Sequence, residues 1–217
     1  MPVEYYTHIL YPLQDKIFKV FAGSPFYLTG GTALSRGYFN HRYSDDLDYF
    51  VNDRSDFQKL IEKQIKNLRT LFPDVEVAFR DTDFCRLFVG KDKLKIEMIN
   101  DVPSHIGELI LHPELGVIDS KENITANKIT AVIDRALPKD IVDMYFLLKD
   151  GLSMKTALTN AESKAAGISP LYIAKILAEF DYGLLSDEIK WVIPVPMQTI
   201  KDYLNNIAIA LIKGEVK

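Results

Sequence analysis

Cysteine is nearly missing from these 217 residues: Cys85 stands alone, so no internal disulfide can form, and a reducing compartment is the expected setting. Histidine is scarce too. His8, His41, His105 and His112 show no zinc-ligand spacing with one another or with Cys85. No apolar run approaches the ~20 residues needed to cross a bilayer. The opening Met1-Pro2-Val3-Glu4 lacks the basic-then-apolar order of a secretory leader. The expected location is therefore cytoplasmic, with no membrane partner. Repeats, low-complexity tracts and long linkers are also absent. Cations are in the minority, with 26 Lys and Arg against 30 Asp and Glu and a formal net charge of -4. That balance argues against broad nonspecific nucleic-acid binding and leaves room for a local basic patch.

What is present suits a globular protein. Apolar residues make up 47% and charged residues 26%, and the length allows one large domain or two small ones with a substantial core. Residues 3 to 21 have helical apolar spacing at Tyr6, Ile9, Leu10, Leu13, Ile17, Val20 and Phe21, with Pro12 expected to kink or split the segment. Phe26 to Leu28 reads as a strand, Thr32 to Phe39 as a helix capped by Thr32, and Leu47 to Val51 as a strand. Ser55 is a candidate cap for a helix over residues 56 to 71. Three strands then follow at residues 75–79, 84–89 and 94–99, joined by hairpin turns. Residues 100 to 119 read as irregular, apart from a short strand at residues 116–119. Helices are expected over 121–136, 139–149 (with Pro138 in the first turn), 154–166, 171–180 and 197–212. The switch from mixed elements to helices places a boundary near 120, giving domains 1–119 and 120–217. The fold class is α+β.

Chemistry concentrates in two places. The first is Gly30-Gly31-Thr32, one short helix upstream of Asp46-Leu47-Asp48. A glycine pair lets backbone N–H groups approach a phosphate, and the helix that follows points its positive end there. Asp46 and Asp48 share one face of a strand, the arrangement that holds divalent cations for phosphoryl transfer. Glu97, sharing a strand face with Lys95, supplies a third carboxylate, as a metal ligand or as the proton acceptor. Acidic pairs more often belong to solvated turns. Here the pair interrupts a strand that otherwise reads as buried, and carboxylates are seldom placed there without a use. The second place is 128–143, with Lys128 and Arg135 on one helix face and Asp140 and Asp143 on the next helix. The bland reading is a solvated face of ion pairs. The functional one gives Lys128 to phosphates and uses Asp143, with Asp140, to orient Lys128 or Arg135 or to receive the acceptor. The cluster Lys121, Lys128, Arg135 and Lys139 would permit an RNA acceptor.

Gly30-Gly31-Thr32-Ala33-Leu34-Ser35, then His41-Arg42-x-Ser44-x-Asp46-Leu47-Asp48-x-Phe50, resembles the AbiEii/AbiGii nucleotidyltransferase toxin family of the DNA polymerase β-like superfamily. Lys128-x-x-Ala131-x-x-x-Arg135-x-x-x-Lys139-Asp140-x-x-Asp143 looks like that family's second motif block. The resemblance implies a nucleotidyltransferase-like mixed sheet with flanking helices, followed by a helical domain that completes the active site. It implies Asp46 and Asp48, with Glu97, as ligands of two Mg2+ ions (or Mn2+), and Lys128 and Asp143 in catalysis. Gly30, Gly31, Thr32, Ser44, Lys128, Arg135, Lys139 and Asp140 are implied at the nucleotide. Glu97 stands where an aspartate is common in the superfamily, and Asp45 adds a further acid beside the pair. The implied reaction transfers a nucleoside monophosphate from a triphosphate to a hydroxyl of tRNA or protein, in a toxin with a cognate antitoxin. The alternatives are a binding or interaction module without turnover and a small-molecule nucleotidyltransferase.

Overall fold

A computed structural model describes residues 3–216. The chain forms two compact units. One takes in the residues up to Tyr38 together with Tyr43–Asp119; the other takes in Phe39–Arg42 together with the residues from Ser120 onward. The segment Phe39–Arg42, which the sequence reading leaves in the first domain, thus belongs with the helices.

The first unit is built on a seven-stranded mixed sheet in the order β3-β4-β5-β2-β1-β7-β6. Its strands are β1 (Tyr27–Thr29), β2 (Leu47–Asn52), β3 (Val75–Arg80), β4 (Phe84–Val89), β5 (Leu94–Asp101), β6 (Ile110–His112) and β7 (Gly116–Ile118). β2 runs parallel to β5 and β1 parallel to β7, and the remaining neighbours are antiparallel. Alternation along β2 buries Leu47, Tyr49 and Val51 and leaves Asp48, Phe50 and Asn52 half-buried, as its period of two requires. The strand β6 is absent from the sequence reading. Its Ile110 and Leu111 are exposed at the sheet's edge, so no apolar alternation betrays it.

The helix at 3–21 does not split at Pro12. It continues through a wide π-helical stretch, Tyr6–Leu10, into Tyr11–Phe21. Proline has no N–H to give and its ring crowds the carbonyl four residues back, so the widened turn just before it absorbs both defects. Ile17, Phe18 and Phe21 are buried, and Phe21 stacks on Tyr49 with ring centroids 3.7 Å apart. The helix Phe57–Leu71 buries Phe57, Ile61, Ile65 and Leu68 along one stripe. Ser55 does not cap it: Asp56 holds the cap position, and its carboxylate is taken by Arg54 instead, at 2.8 Å.

The second unit consists of helices Lys121–Asp134, Pro138–Lys149, Met154–Glu162, Pro170–Glu179, Leu184–Glu188 and Met197–Lys213. Ser120, Ser153 and Ser169 accept hydrogen bonds from the N–H groups of Asn123, Thr156 and Tyr172, satisfying donors that the first helical turn leaves without partners. The short helix at Leu184 and the early end at Glu162 depart from the sequence reading. Among the described residues, no helix is long and apolar enough to cross a membrane.

Candidate active site

Within the first unit, the antiparallel pairing of β1 with β2 sets Thr29 opposite Asp48, and the parallel pairing of β2 with β5 sets Asp48 opposite Glu97. Asp48 and Glu97 are thereby neighbours on adjacent strands, with Asp46 immediately ahead of β2. The chain leaves β1 through Gly30, which adopts φ +67°, and enters a helical segment made of Gly30–Thr32 and the π-helical Ala33–Phe39. A side chain at position 30 would bring its first carbon within 2.6 Å of Asp48 Oδ2. Glycine is thus needed twice here, for its left-handed backbone and for the carboxylate lying against it. Gly30→Ala is expected to lose about 1–2 kcal/mol of stability from the backbone conformation alone, and more if Asp48 must move. Urea unfolding of the two proteins measures this, and an unchanged midpoint would contradict the packing.

Thr32 does not cap the helix. It is buried, its hydroxyl donates to the main-chain carbonyl of Asp46, and it lies 2.9 Å from Ser44 Oγ. Gln14, also buried, donates to the Ser44 carbonyl at 3.0 Å. These bonds fix the approach to β2, so the two hydroxyls assigned to the nucleotide hold the carboxylate strand in place. Asp45 is exposed and accepts from the Tyr6 hydroxyl; burial first, then this carboxylate, raises the Tyr6 pKa.

The carboxylates have protein cations beside them. Lys95 Nζ lies 3.0 Å from Asp46 Oδ2 and 3.5 Å from Glu97 Oε1, and Arg86 pairs with Glu97 at 2.7 Å. Burial disfavours the Lys95 charge, but Asp46, Glu97 and Asp48 outweigh it and raise its pKa. Among the described residues, no three His, Cys, Asp or Glu side chains are grouped to hold a metal ion. Asp46 and Asp48 nonetheless suit Mg2+, which commonly takes one or two carboxylates and completes its shell with water and substrate phosphates.

Within the helical unit a buried ion cluster surrounds Asp143. This residue is fully buried and receives Arg42 Nε at 2.8 Å, Arg42 Nη2 at 2.7 Å, His41 Nε2 at 2.8 Å and Lys128 Nζ at 2.6 Å. Asp140, equally buried, receives Lys128 at 2.8 Å and Arg135 Nε at 2.9 Å. Lys139 is half-buried on the same helix as the two aspartates. Burial opposes the Asp143 charge, but Arg42, Lys128 and the bonds from His41 and Arg42 prevail, holding its carboxyl well below the usual range. Lys128 is likewise raised, with Asp143 and Asp140 overcoming burial. His41 is lowered, chiefly by burial, against the bond to Asp143. With Nε2–H donating to Asp143, the buried Nδ1 of His41 is left with no hydrogen-bond partner. Its ring sits between Phe39 and Phe146.

His41 and Arg42 carry no assigned chemistry in the sequence, where they stand only as letters of the first motif just upstream of the acidic pair, and the structure places both in this buried cluster. Three members of the cationic cluster that would permit an RNA acceptor are engaged within the protein: Lys121 pairs with Asp150, and Lys128 and Arg135 with Asp140. A like-signed face occurs instead on the helix Phe57–Leu71, where Lys59, Lys63, Lys66 and Arg69 are exposed on the side away from the buried stripe. Lys66, Arg69 and Arg80 line a groove of about 450 Å³ there with Glu62 and Val77.

Residues 13–191 match the family model described as nucleotidyl transferase AbiEii toxin, type IV TA system. An uncharacterized protein of Aquifex aeolicus, aq_aa25, is 30% identical over 178 residues, covering 77% of this chain and 79% of that one. Among solved structures, JHP933 from Helicobacter pylori superposes with TM-score 0.66 at 20% identity, covering 99% of this chain and 94% of that one. MenT4, the nucleotidyltransferase toxin Rv2826c from Mycobacterium tuberculosis H37Rv, gives 0.67 at 15% identity, covering 97% and 86%. The antibiotic-resistance factor ANT(2'')-Ia gives 0.53 at 14%, covering 70% and 89%. At these identities the superpositions establish the nucleotidyltransferase fold.

Proposed function

Because the chain belongs to the AbiEii family of nucleotidyl transferase toxins, we propose that it transfers a nucleoside monophosphate from a triphosphate to an acceptor hydroxyl, with release of pyrophosphate. The observation that carries this reading is the register Thr29–Asp48–Glu97, which sets Asp48 and Glu97 on adjacent strands beside the Gly30 turn, with Asp46 just ahead of β2. Asp46 and Asp48 would hold Mg2+, two ions with Mn2+ as a substitute, with Glu97 as the third carboxylate. Bound there, the ions would neutralise charge on the transferred phosphoryl group. The backbone N–H groups at Gly30 and Gly31 offer donors to phosphate oxygens. Asp48 and Glu97 are the candidates to take the proton of the attacking hydroxyl.

Lys128 carries the countercharge that the family motif assigns to phosphate. The hold of Asp140 and Asp143 on its ammonium makes it a fixed charge rather than a mobile one. Asp143, Asp140 and Arg135 then act as positioning residues, and Lys139 is left as a partly exposed cation. RNA is the acceptor favoured over protein, because the cationic face on the helix Phe57–Leu71 suits a phosphate backbone. A cognate antitoxin is the expected protein partner, and the cytoplasm the expected setting.

The test incubates the protein with each labelled triphosphate and Mg2+ in the presence of total RNA and of total protein, and follows pyrophosphate. Label in RNA with stoichiometric pyrophosphate is the expected result. Triphosphate binding in calorimetry without pyrophosphate release would replace the enzyme with a binding module. Label in a small molecule alone would replace the macromolecular acceptor.

A further inference from the structure

The carboxylate group of the first unit already contains a cation of its own. Lys95 Nζ sits between Asp46 Oδ2, 3.0 Å away, and Glu97 Oε1, 3.5 Å away, while Arg86 reaches Glu97 alone. Lys95 and Glu97 occupy alternate positions on β5, so both side chains stand on one face. The register of β2 with β5 pairs Leu47 with Ile96 and Asp48 with Glu97, which puts Asp46 one step from a partner at Lys95. The lysine side chain is 28% exposed, the Asp46 side chain 30% and that of Glu97 only 14%. Lys95 and Asp46 are thus the more open members of this trio and Glu97 the more closed one.

We propose that Lys95 is the resident counter-ion of this group and that a divalent cation enters by displacing its ammonium from Asp46. This rests on reading Asp46 and Asp48 as ligands. Asp46 and Glu97, each within 3.5 Å of the same ammonium, repel one another. A lysine between Asp46 and Glu97 keeps them assembled when no ion is bound. On a stem of four methylenes its ammonium can swing away without moving the strand, and solvent can receive it on the exposed side. Arg86 is placed differently: it pairs with Glu97, the less exposed of the two carboxylates that Lys95 reaches. Lys95 thereby sets the cation concentration at which the site fills, by making the entering ion compete for Asp46.

Mn2+ binding to the whole protein, counted as loss of the free-ion EPR signal, tests this without any turnover. Removal of one positive charge ~4 Å from an entering divalent ion in a partly solvated site predicts that Lys95→Met binds Mn2+ at least about tenfold more tightly than wild type. Lys95→Arg, which keeps the charge and the bonding reach, is expected to stay within about threefold of wild type by the same charge count. The Mn2+-induced rise in melting temperature should be larger in Lys95→Met than in wild type, which confirms that the variant is folded. Equal or weaker binding by Lys95→Met, with wild type binding normally, overturns the displacement. Equal tightening in Arg86→Gln and Lys95→Met overturns it as well, since net charge alone would then account for the effect. If Asp46→Asn with Asp48→Asn binds as tightly as wild type, the ion sits elsewhere and the ligand assignment falls with it.

Discussion

The Asp46→Asn, Asp48→Asn double variant is expected to lose nucleotidyl transfer by on the order of 10³-fold or more while keeping its fold. The rate follows from the chemistry assigned to these groups. A metal-held phosphoryl group gains several kcal/mol of transition-state stabilisation, and each ~1.4 kcal/mol is a factor of ten. Asparagine fills nearly the same volume as aspartate and binds a hard divalent cation poorly. The small structural cost follows from exposure: the Asp46 side chain is 30% exposed, and its partner Lys95 keeps Glu97. Ion pairs so open to solvent are worth about 0–1 kcal/mol. Pyrophosphate release measures the first effect and urea unfolding the second. Transfer at the wild-type rate would remove Asp46 and Asp48 from the mechanism, and a collapsed unfolding midpoint would make the activity loss uninformative.

Asp143→Asn is expected to be the most destabilising single change among the site residues. It removes the negative charge that Arg42 and Lys128 share, and replaces one of the two acceptor oxygens that Arg42 bonds with an amide N–H₂ turned toward donors. Removing one member of a buried pair typically costs about 3–5 kcal/mol, because the remaining charge stays buried and uncompensated. Loss of activity in this variant therefore reports on the helical unit before it reports on catalysis. A thermal melt beside the transfer assay separates the two, and a melt indistinguishable from wild type would show that the cluster is held from elsewhere.

The same groups fix the sign of the acid response. His41 is depressed below the ordinary 6.5, so the unfolded chain takes up a proton that the folded one refuses. Its contribution is fully present above that value and is lost as pH falls below it. Asp143 and Asp140, depressed below 3.8, add a second loss at lower pH. Lys128 works oppositely, contributing below 10.5 and losing that contribution as pH rises through its raised value.

Local pattern was enough for many of the elements that carry the candidate residues. The period of two along Leu47 to Val51 placed Asp46 and Asp48 on one face, and apolar periodicity located the helices that start after Ser120 and Ser169, whose side chains cap them. Where local pattern misled, a longer-range bond had taken the group. Thr32 looks like a cap but serves the Asp46 carbonyl, fourteen residues on. Ser55 looks like a cap, yet the neighbouring Arg54–Asp56 pair decides that turn.

By itself, then, the amino-acid sequence determined the family, the α+β class and the carboxylate face of β2, because each depends on residue types at short, fixed spacing. The tertiary structure alone decided what those charges meet. Asp143 lies 101 residues from Arg42 and 102 from His41, and no periodicity spans such a distance. Whether Lys95 stands beside Asp46, and whether Gly30 lies against Asp48, depends on strand register, which is set when a whole sheet face is buried at once.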